Sequence, residues 1–147
     1  MKPKILVVEN FPLIEITIKE IICDEFEFHF ASSVSAVKKF IQHITPEIVL
    51  VAGVCRLFTH NQKKLCFSEL RDVKHLLPDT EFVFLYNHIF LTSCICIARD
   101  CSVDHVFEDT TNPRKIIKIL RSVQTSPKIH PSAAKLNVLG RHLQIDH

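Results

Sequence analysis

The period of the apolar positions changes several times along the 147-residue chain, and each change marks an element. Lys4–Val8 (KILVV) is an unbroken apolar run rich in β-branched residues, which predicts a buried strand. Ile14, Ile18, Ile21 and Ile22 then recur at helical spacing, with Asn10 placed to cap that helix and Pro12 tolerated in its first turn. Phe26 to Phe30 (FEFHF) alternates with period two and predicts a second strand. Ser32 or Ser33 can open a helix from about Val34 to Ile44, with Val37, Phe40, Ile41 and Ile44 on its core face and Pro46 beyond its end. Ile48–Val51 is apolar without alternation, as in a central strand covered on both faces. Lys64 to Leu77 carries Leu65, Leu70, Val73 and Leu77 in helical register, and Pro78-Asp79 makes a turn into a fourth strand, Glu81 to Leu85. Ile89 to Ala98 reads as a helix and His105 to Phe107 as a short fifth strand. Asn112-Pro113 opens a last helix that turns Ile116, Ile117, Leu120 and Val123 inward.

Strands that alternate with helices need crossover connections, so this order predicts a parallel, doubly wound sheet. Five strands within residues 1–124 fit the α/β flavodoxin-like arrangement, with strand order 2-1-3-4-5. From 125 to 147 the pattern changes to a linker and C-terminal tail, with a short helix over 131–139 that Gly140 can end. This stretch is too short for a second folded domain.

Composition narrows the class. With 47% hydrophobic and 23% charged residues the chain reads as a globular protein. No run reaches the roughly 18 apolar residues of a membrane span, and the N-terminus is too short in apolar residues for a secretory signal, so a cytoplasmic location is expected, away from the membrane. In a reducing compartment Cys23, Cys55, Cys66, Cys94, Cys96 and Cys101 are expected as buried thiols, not disulfides. The CxC at Cys94–Cys96 and nine scattered histidines lack clustered ligand spacing, so no metal and no cofactor are expected. Charge is uneven. Residues 112–147 hold Arg114, Lys115, Lys118, Arg121, Lys128, Lys135 and Arg141 against Asp146 alone, a net of +6; the 111 residues before them hold 11 basic and 15 acidic side chains, a net of −4. The basic end could contact nucleic acid or an acidic partner, or be a solvated helix face and tail.

Several stretches carry a family resemblance, among them Pro78 to Leu85, which resembles the family's fourth strand. KILVVENFPLI (Lys4 to Ile14) resembles the opening of response-regulator receiver domains, and its ENFPL is similar to the acidic-acidic-His-Pro-Leu of the NarL/LuxR-type branch. PEIVLV (Pro46 to Val51) resembles the strand that leads to the phosphorylated aspartate, and CSVDHVFED (Cys101 to Asp109) the region around strand five. SPKIHPSAAKLNVL also looks like the linker before that branch's helix-turn-helix output domain, which is not in this sequence. The resemblance implies a CheY-like fold over residues 4–124. It also implies an acidic pair holding Mg²⁺, an acceptor aspartate, a threonine or serine, and a lysine, all at the carboxyl ends of the strands.

Laid on this sequence, those positions fall on Glu9 and Asn10, Ala52, Tyr86 and Glu108. One carboxylate of the pair is left, the acceptor position has no oxygen, and a carboxylate replaces the ammonium. The resemblance therefore implies a pseudo-receiver, with Tyr86 filling the vacated cleft. The apolar stretch Ile89 to Ala98 then points to an interface of helix four, strand five and helix five, with Phe90, Leu91, Ile95 and Ile119 left for a second copy or another regulatory protein. The expected function is phosphorylation-independent signal transduction or transcription regulation, not an enzyme, because no nucleophile–base set or glycine-rich phosphate loop is present. Two alternatives stand beside it. One is a DNA-associated regulator using the basic end, although no basic–aromatic interleaving is visible. The other is a redox or small-ligand sensor, with Cys55 beside Arg56 as its best thiol and Cys94 and Cys96 inert on an apolar helix.

Overall fold

The five apolar runs form one parallel sheet: β1 (Lys4–Val8), β2 (Glu27–Ala31), β3 (Ile48–Val51), β4 (Glu81–Tyr86) and β5 (His105–Glu108), ordered β2-β1-β3-β4-β5. The computed structural model describes residues 2–9, 12–20, 24–52, 63–86, 91–108, 110 and 112–125, and of 63–69, 91, 93 and 94 the backbone alone. Helices α1 (Leu13–Lys19), α2 (Val34–Ile41), α3 (Lys63–Leu76) and α4 (Leu91–Asp100) lie in the four crossovers, and α5 (Pro113–Thr125) follows β5. This is the predicted doubly wound flavodoxin-like fold; the linker and short helix expected over 125–147 lie, beyond Thr125, outside the described residues.

The sheet sorts its side chains by parity, as the pleat requires. Leu6, Val8, Val49, Val51, Phe82, Phe84 and Tyr86 face one layer, with Val37 of α2, Val73 of α3 and Ile97 of α4. Ile5, Val7, Ile48, Leu50, Val83 and Leu85 face the other, with Ile14 and Ile18 of α1 and the inward stripe of α5. The central strands β1 and β3 are buried on both faces, which is why they read as continuous apolar runs.

Helix ends differ from the predicted ones where local hydrogen bonds decide. Ser33 caps α2 by accepting from Ala36 N at 3.1 Å, but the helix stops at Ile41, short of Ile44. Helix α4 runs two residues past Ala98 and closes in a Schellman turn: Val103 N donates to Ala98 O at 2.9 Å and Ser102 N to Arg99 O at 3.2 Å. Ser102 takes the left-handed position there, at φ 59°, and the turn delivers the chain into β5.

Candidate functional site

The carboxyl edge of the sheet is where the family resemblance seeks its chemistry. The ladders there extend one residue beyond the strands: Glu9 N donates to Ala31 O at 3.1 Å and Ala52 N to Val8 O at 2.9 Å. Because Val8 is in register with Val51, Glu9 and Ala52 take neighbouring positions just past the strand ends. Tyr86 and Glu108 are register partners at the ends of β4 and β5.

These positions share an edge but not an environment. Glu9 is buried, and both its oxygens are turned onto the start of α1: Oε1 accepts from Ile14 N at 3.0 Å and Oε2 from Glu15 N at 2.9 Å. The residue before the helix, Pro12, offers no side-chain cap, so Glu9 satisfies two of the first-turn amides, and its charge suits the positive end of the helix. The expected cap, Asn10, lies outside the described residues. Ala52 is 5% exposed and its methyl packs in the α1/α5 layer. Tyr86 is fully buried, but in the other layer, with Val8, Val51 and Phe84. Glu108 is exposed.

This donor set does not fit Mg²⁺, which asks for several converging oxygens in octahedral array. Of the two carboxylates placed here among the described residues, Glu9 is committed to backbone amides and Glu108 is exposed at the end of β5. Among those residues no cluster of three or more histidine, cysteine or acidic side chains could hold a metal ion. No described helix is long and apolar enough to cross a membrane.

The other predicted site residues are dispersed. Phe90 lies outside the described residues, as does the side chain of Leu91. Ile95 is half-buried against the α2/α3/α4 layer, and Ile119 against the α1/α5 layer. Thr92, Cys96 and Arg99 are exposed on α4, so its outward row is more polar than the sequence pattern implies. Cys96 is thus a correction to the expectation of buried thiols, because α4 turns Ile97, Ala98 and then Cys101 to the core and leaves Cys96 outside; Cys101 is buried as expected. Cys23 and Cys55, and the side chains of Cys66 and Cys94, fall outside the described residues. Arg114, Lys115, Lys118 and Arg121 are exposed on α5. Arg121 clasps Glu25, its Nε at 3.1 and 2.8 Å from the two carboxylate oxygens and Nη2 on Oε1. That bond holds the Glu25 carboxyl below its ordinary range. Lys128, Lys135 and Arg141 lie outside the described residues.

Sequence reasoning missed the polar network at the opposite, amino edge. Lys74 of α3 reaches Asp104 Oδ2 at 3.1 Å, donates to Thr80 O at 3.0 Å and lies 5.1 Å over the Phe82 ring. Asp104 also accepts from Phe82 N at 2.9 Å, so it ties the start of β4 to the approach to β5. Buried His105 meets Glu81 across the strands, Nε2 to Oε2 at 3.3 Å. That hydrogen bond, against the opposing effect of burial, holds the Glu81 carboxyl below its usual range; the charges of His105 and Lys74 and a bond with Asp104 act with it. Thr80 Oγ1 donates to Pro46 O at 2.7 Å, across a separation of 34 residues. Beside this network a cleft of about 320 Å³ is lined by Thr45, Pro46, Glu47, Asp79, Glu81 and Gln124 among others. No periodicity marks such contacts, since all but the Lys74–Thr80 bond join residues 22 to 34 apart in sequence.

No protein-family model and no curated protein matches the sequence. Solved structures do match the fold. A response regulator from Thermotoga maritima aligns with a TM-score of 0.64 at 14% identity, over 86% of this chain and 100% of its own. A CheY-like receiver domain protein from Methanospirillum hungatei JF-1 gives 0.65 at 15%, over 83% and 93%. The chemotaxis response regulator CheY4 of Vibrio cholerae gives 0.62 at 13%, over 84% and 99%. At such identities the likeness is one of fold: the described chain has the architecture of receiver domains.

Proposed function

We propose that this chain is a signalling module on a receiver fold that works without aspartyl phosphorylation, through protein contacts made by α4, β5 and α5, in two-component-type signal transduction or transcription regulation. The observation that carries this reading is the Ala52 position: a buried methyl group has no oxygen to esterify. The commitment of Glu9 to the α1 amides supports it, because the one remaining carboxylate of the cation-holding pair is already used. Where a receiver is switched by phosphoryl binding, the ligand shifts a two-state population. Here packing around buried Tyr86 would set that population instead.

The exposed edge at β5 supports this choice of contact surface. Strand β5 is an edge of the sheet; Ile95 is half-buried against one layer, and Phe107 and Ile119 against the other. Arg114, Lys115 and Lys118 are exposed on α5. A partly apolar surface with a basic border suits a second copy or a regulatory protein that presents carboxylates.

The test is incubation with acetyl phosphate and Mg²⁺, read by intact mass and light scattering. The expected result is no phosphoryl adduct and no change of oligomeric state. A hydroxylamine-labile adduct would overturn the proposal. Ile119→Glu is expected to weaken whatever association the untreated chain shows.

A further inference from the structure

Strand β2 forms the edge of the sheet far from β5. Its ladder to β1 runs unbroken from Lys4↔Glu27 to Val8↔Ala31. Glu27 N donates to Pro3 O at 2.9 Å, and Ala31 O accepts from Glu9 N at 3.1 Å. Successive residues of a strand turn their backbone groups to opposite sides, so Glu27, His29 and Ala31 bond to β1. The N–H and C=O groups of Phe28 and Phe30 then point outward. Among the described residues no strand lies beyond β2, so these groups form an open edge. Strand β2 carries neither lysine nor proline, the residues that commonly guard such an edge.

The same two residues give this edge its apolar surface. Phe28 and Phe30 are half-buried against the α1/α5 layer, with their rings stacked at 6.5 Å between centroids. On the other face of the strand Glu27 Oε2 and His29 Nε2 pair at 2.8 Å. The edge is complementary to itself. Turned antiparallel about a two-fold axis through His29, Phe28 of one copy stands opposite Phe30 of the other, and the reverse. Each such pair exchanges two backbone hydrogen bonds, so every outward group of both strands is satisfied. Opposed side chains share a face, so the phenylalanines meet as cross-strand aromatic pairs. On the other face Glu27 lies opposite Ala31, and His29 opposite His29 with a Glu27 carboxylate beside each imidazole. Carboxylates and imidazoles thus alternate, and no two carboxylates are opposed.

We propose that the β2 edge is the docking site of a second copy of this chain, the two sheets joining through antiparallel β2 strands. The contact closes on itself and does not propagate. It leaves the β5 edge of each copy open, and it stands or fails independently of the phosphorylation-free reading. One strand per copy is a small contact, so the pair is expected to dissociate on dilution.

Sedimentation of the full chain over a range of concentrations, with residue-resolved amide exchange, tests it. The expected result is a dimer that dissociates on dilution. Exchange at Phe28 and Phe30 then rises several-fold, while His29 and Ala31, bonded to β1, keep their rates. Ile119→Glu, on α5, is expected to leave this behaviour unchanged, which separates the contact from the one proposed at α4, β5 and α5. His29→Cys places a thiol on the two-fold axis at a part-exposed position. Oxidation of that variant is expected to link the two introduced thiols, read by peptide mass. A chain that stays monomeric, exchange at Phe28 and Phe30 that ignores dilution, or no such link would each overturn the proposal. Loss of Phe28 and Phe30 protection in Ile119→Glu, with His29 and Ala31 still protected, would also overturn it.

Discussion

At the carboxyl edge of the sheet Glu9, Ala52 and Tyr86 are buried, and the one acid among them is spent on a helix start. At the amino edge Lys74, Asp104, Glu81 and His105 form a linked set of charged and polar groups beside an open cleft. Doubly wound sheets ordinarily hold their ligands at the carboxyl edge. Here, among the described residues, that edge is held by packing and a helix cap, and the polar density is at the other end. The contrast teaches that the fold needs the apolar strands and the crossovers but does not need the edge chemistry. A methyl, a capping carboxylate and a buried phenol keep the same architecture standing.

The largest expected effect comes from removing packing at the carboxyl edge. Tyr86 is among the largest fully buried side chains, in contact with the layer under α2, α3 and α4. Tyr86→Ala should cost about 3–5 kcal/mol in urea unfolding, the range for an aromatic side chain truncated in a core. A loss under about 1 kcal/mol would mean that the ring is dispensable and that this edge is not held by packing. Next in size is Glu9→Ala, which strips the acceptor from the Ile14 and Glu15 amides. The expected cost is about 2 kcal/mol, combining a lost cap with donors left unsatisfied in a part-buried place. If Glu9→Ala is neutral in urea, the carboxylate is not a structural cap and is again available for other chemistry.

Much of the fold was legible in the sequence because it depends on periodicity. The unbroken run of β1 reports a strand covered on both faces, the alternation Phe26, Phe28, Phe30 and the inward stripe of α5 report one layer of the sheet, and all three fall where their spacing puts them. Helix ends were less legible: the early stop of α2 and the late stop of α4 depend on turns a few residues long. The candidate site was legible in position but not in environment. Sequence alignment to a family can say that residues 9, 52, 86 and 108 stand at one edge. It does not say that Glu9 bends onto α1, or that Ala52 and Tyr86 belong to opposite layers, which follows only from the register of β3 with β4. The amino-edge network was invisible because Lys74, Asp104 and Glu81 meet through tertiary packing of α3 over two strands.

The smallest expected effect tests the amino edge by pH. The bond from His105, aided by its charge and that of Lys74, lowers the Glu81 carboxyl from its ordinary value of 4.5. A carboxyl depressed in the folded state adds stability above its unfolded value, and that stability is lost as pH falls through the folded value. The contribution of Glu81 should therefore be present at neutral pH and fade below 4.5. Glu81 is only partly shielded, so solvent screening keeps the effect modest. The measurement is the urea midpoint of the unchanged chain and of Glu81→Gln, from about pH 6 to about pH 3. The gap between them should narrow toward acid. Glu25 and Glu27, lowered by Arg121 and His29, titrate in the same region but are present in both chains and cancel. A gap that stays constant with pH would mean that Glu81 acts by shape and hydrogen bonding alone, and the charged character assigned to the amino edge would then rest on Lys74 and Asp104.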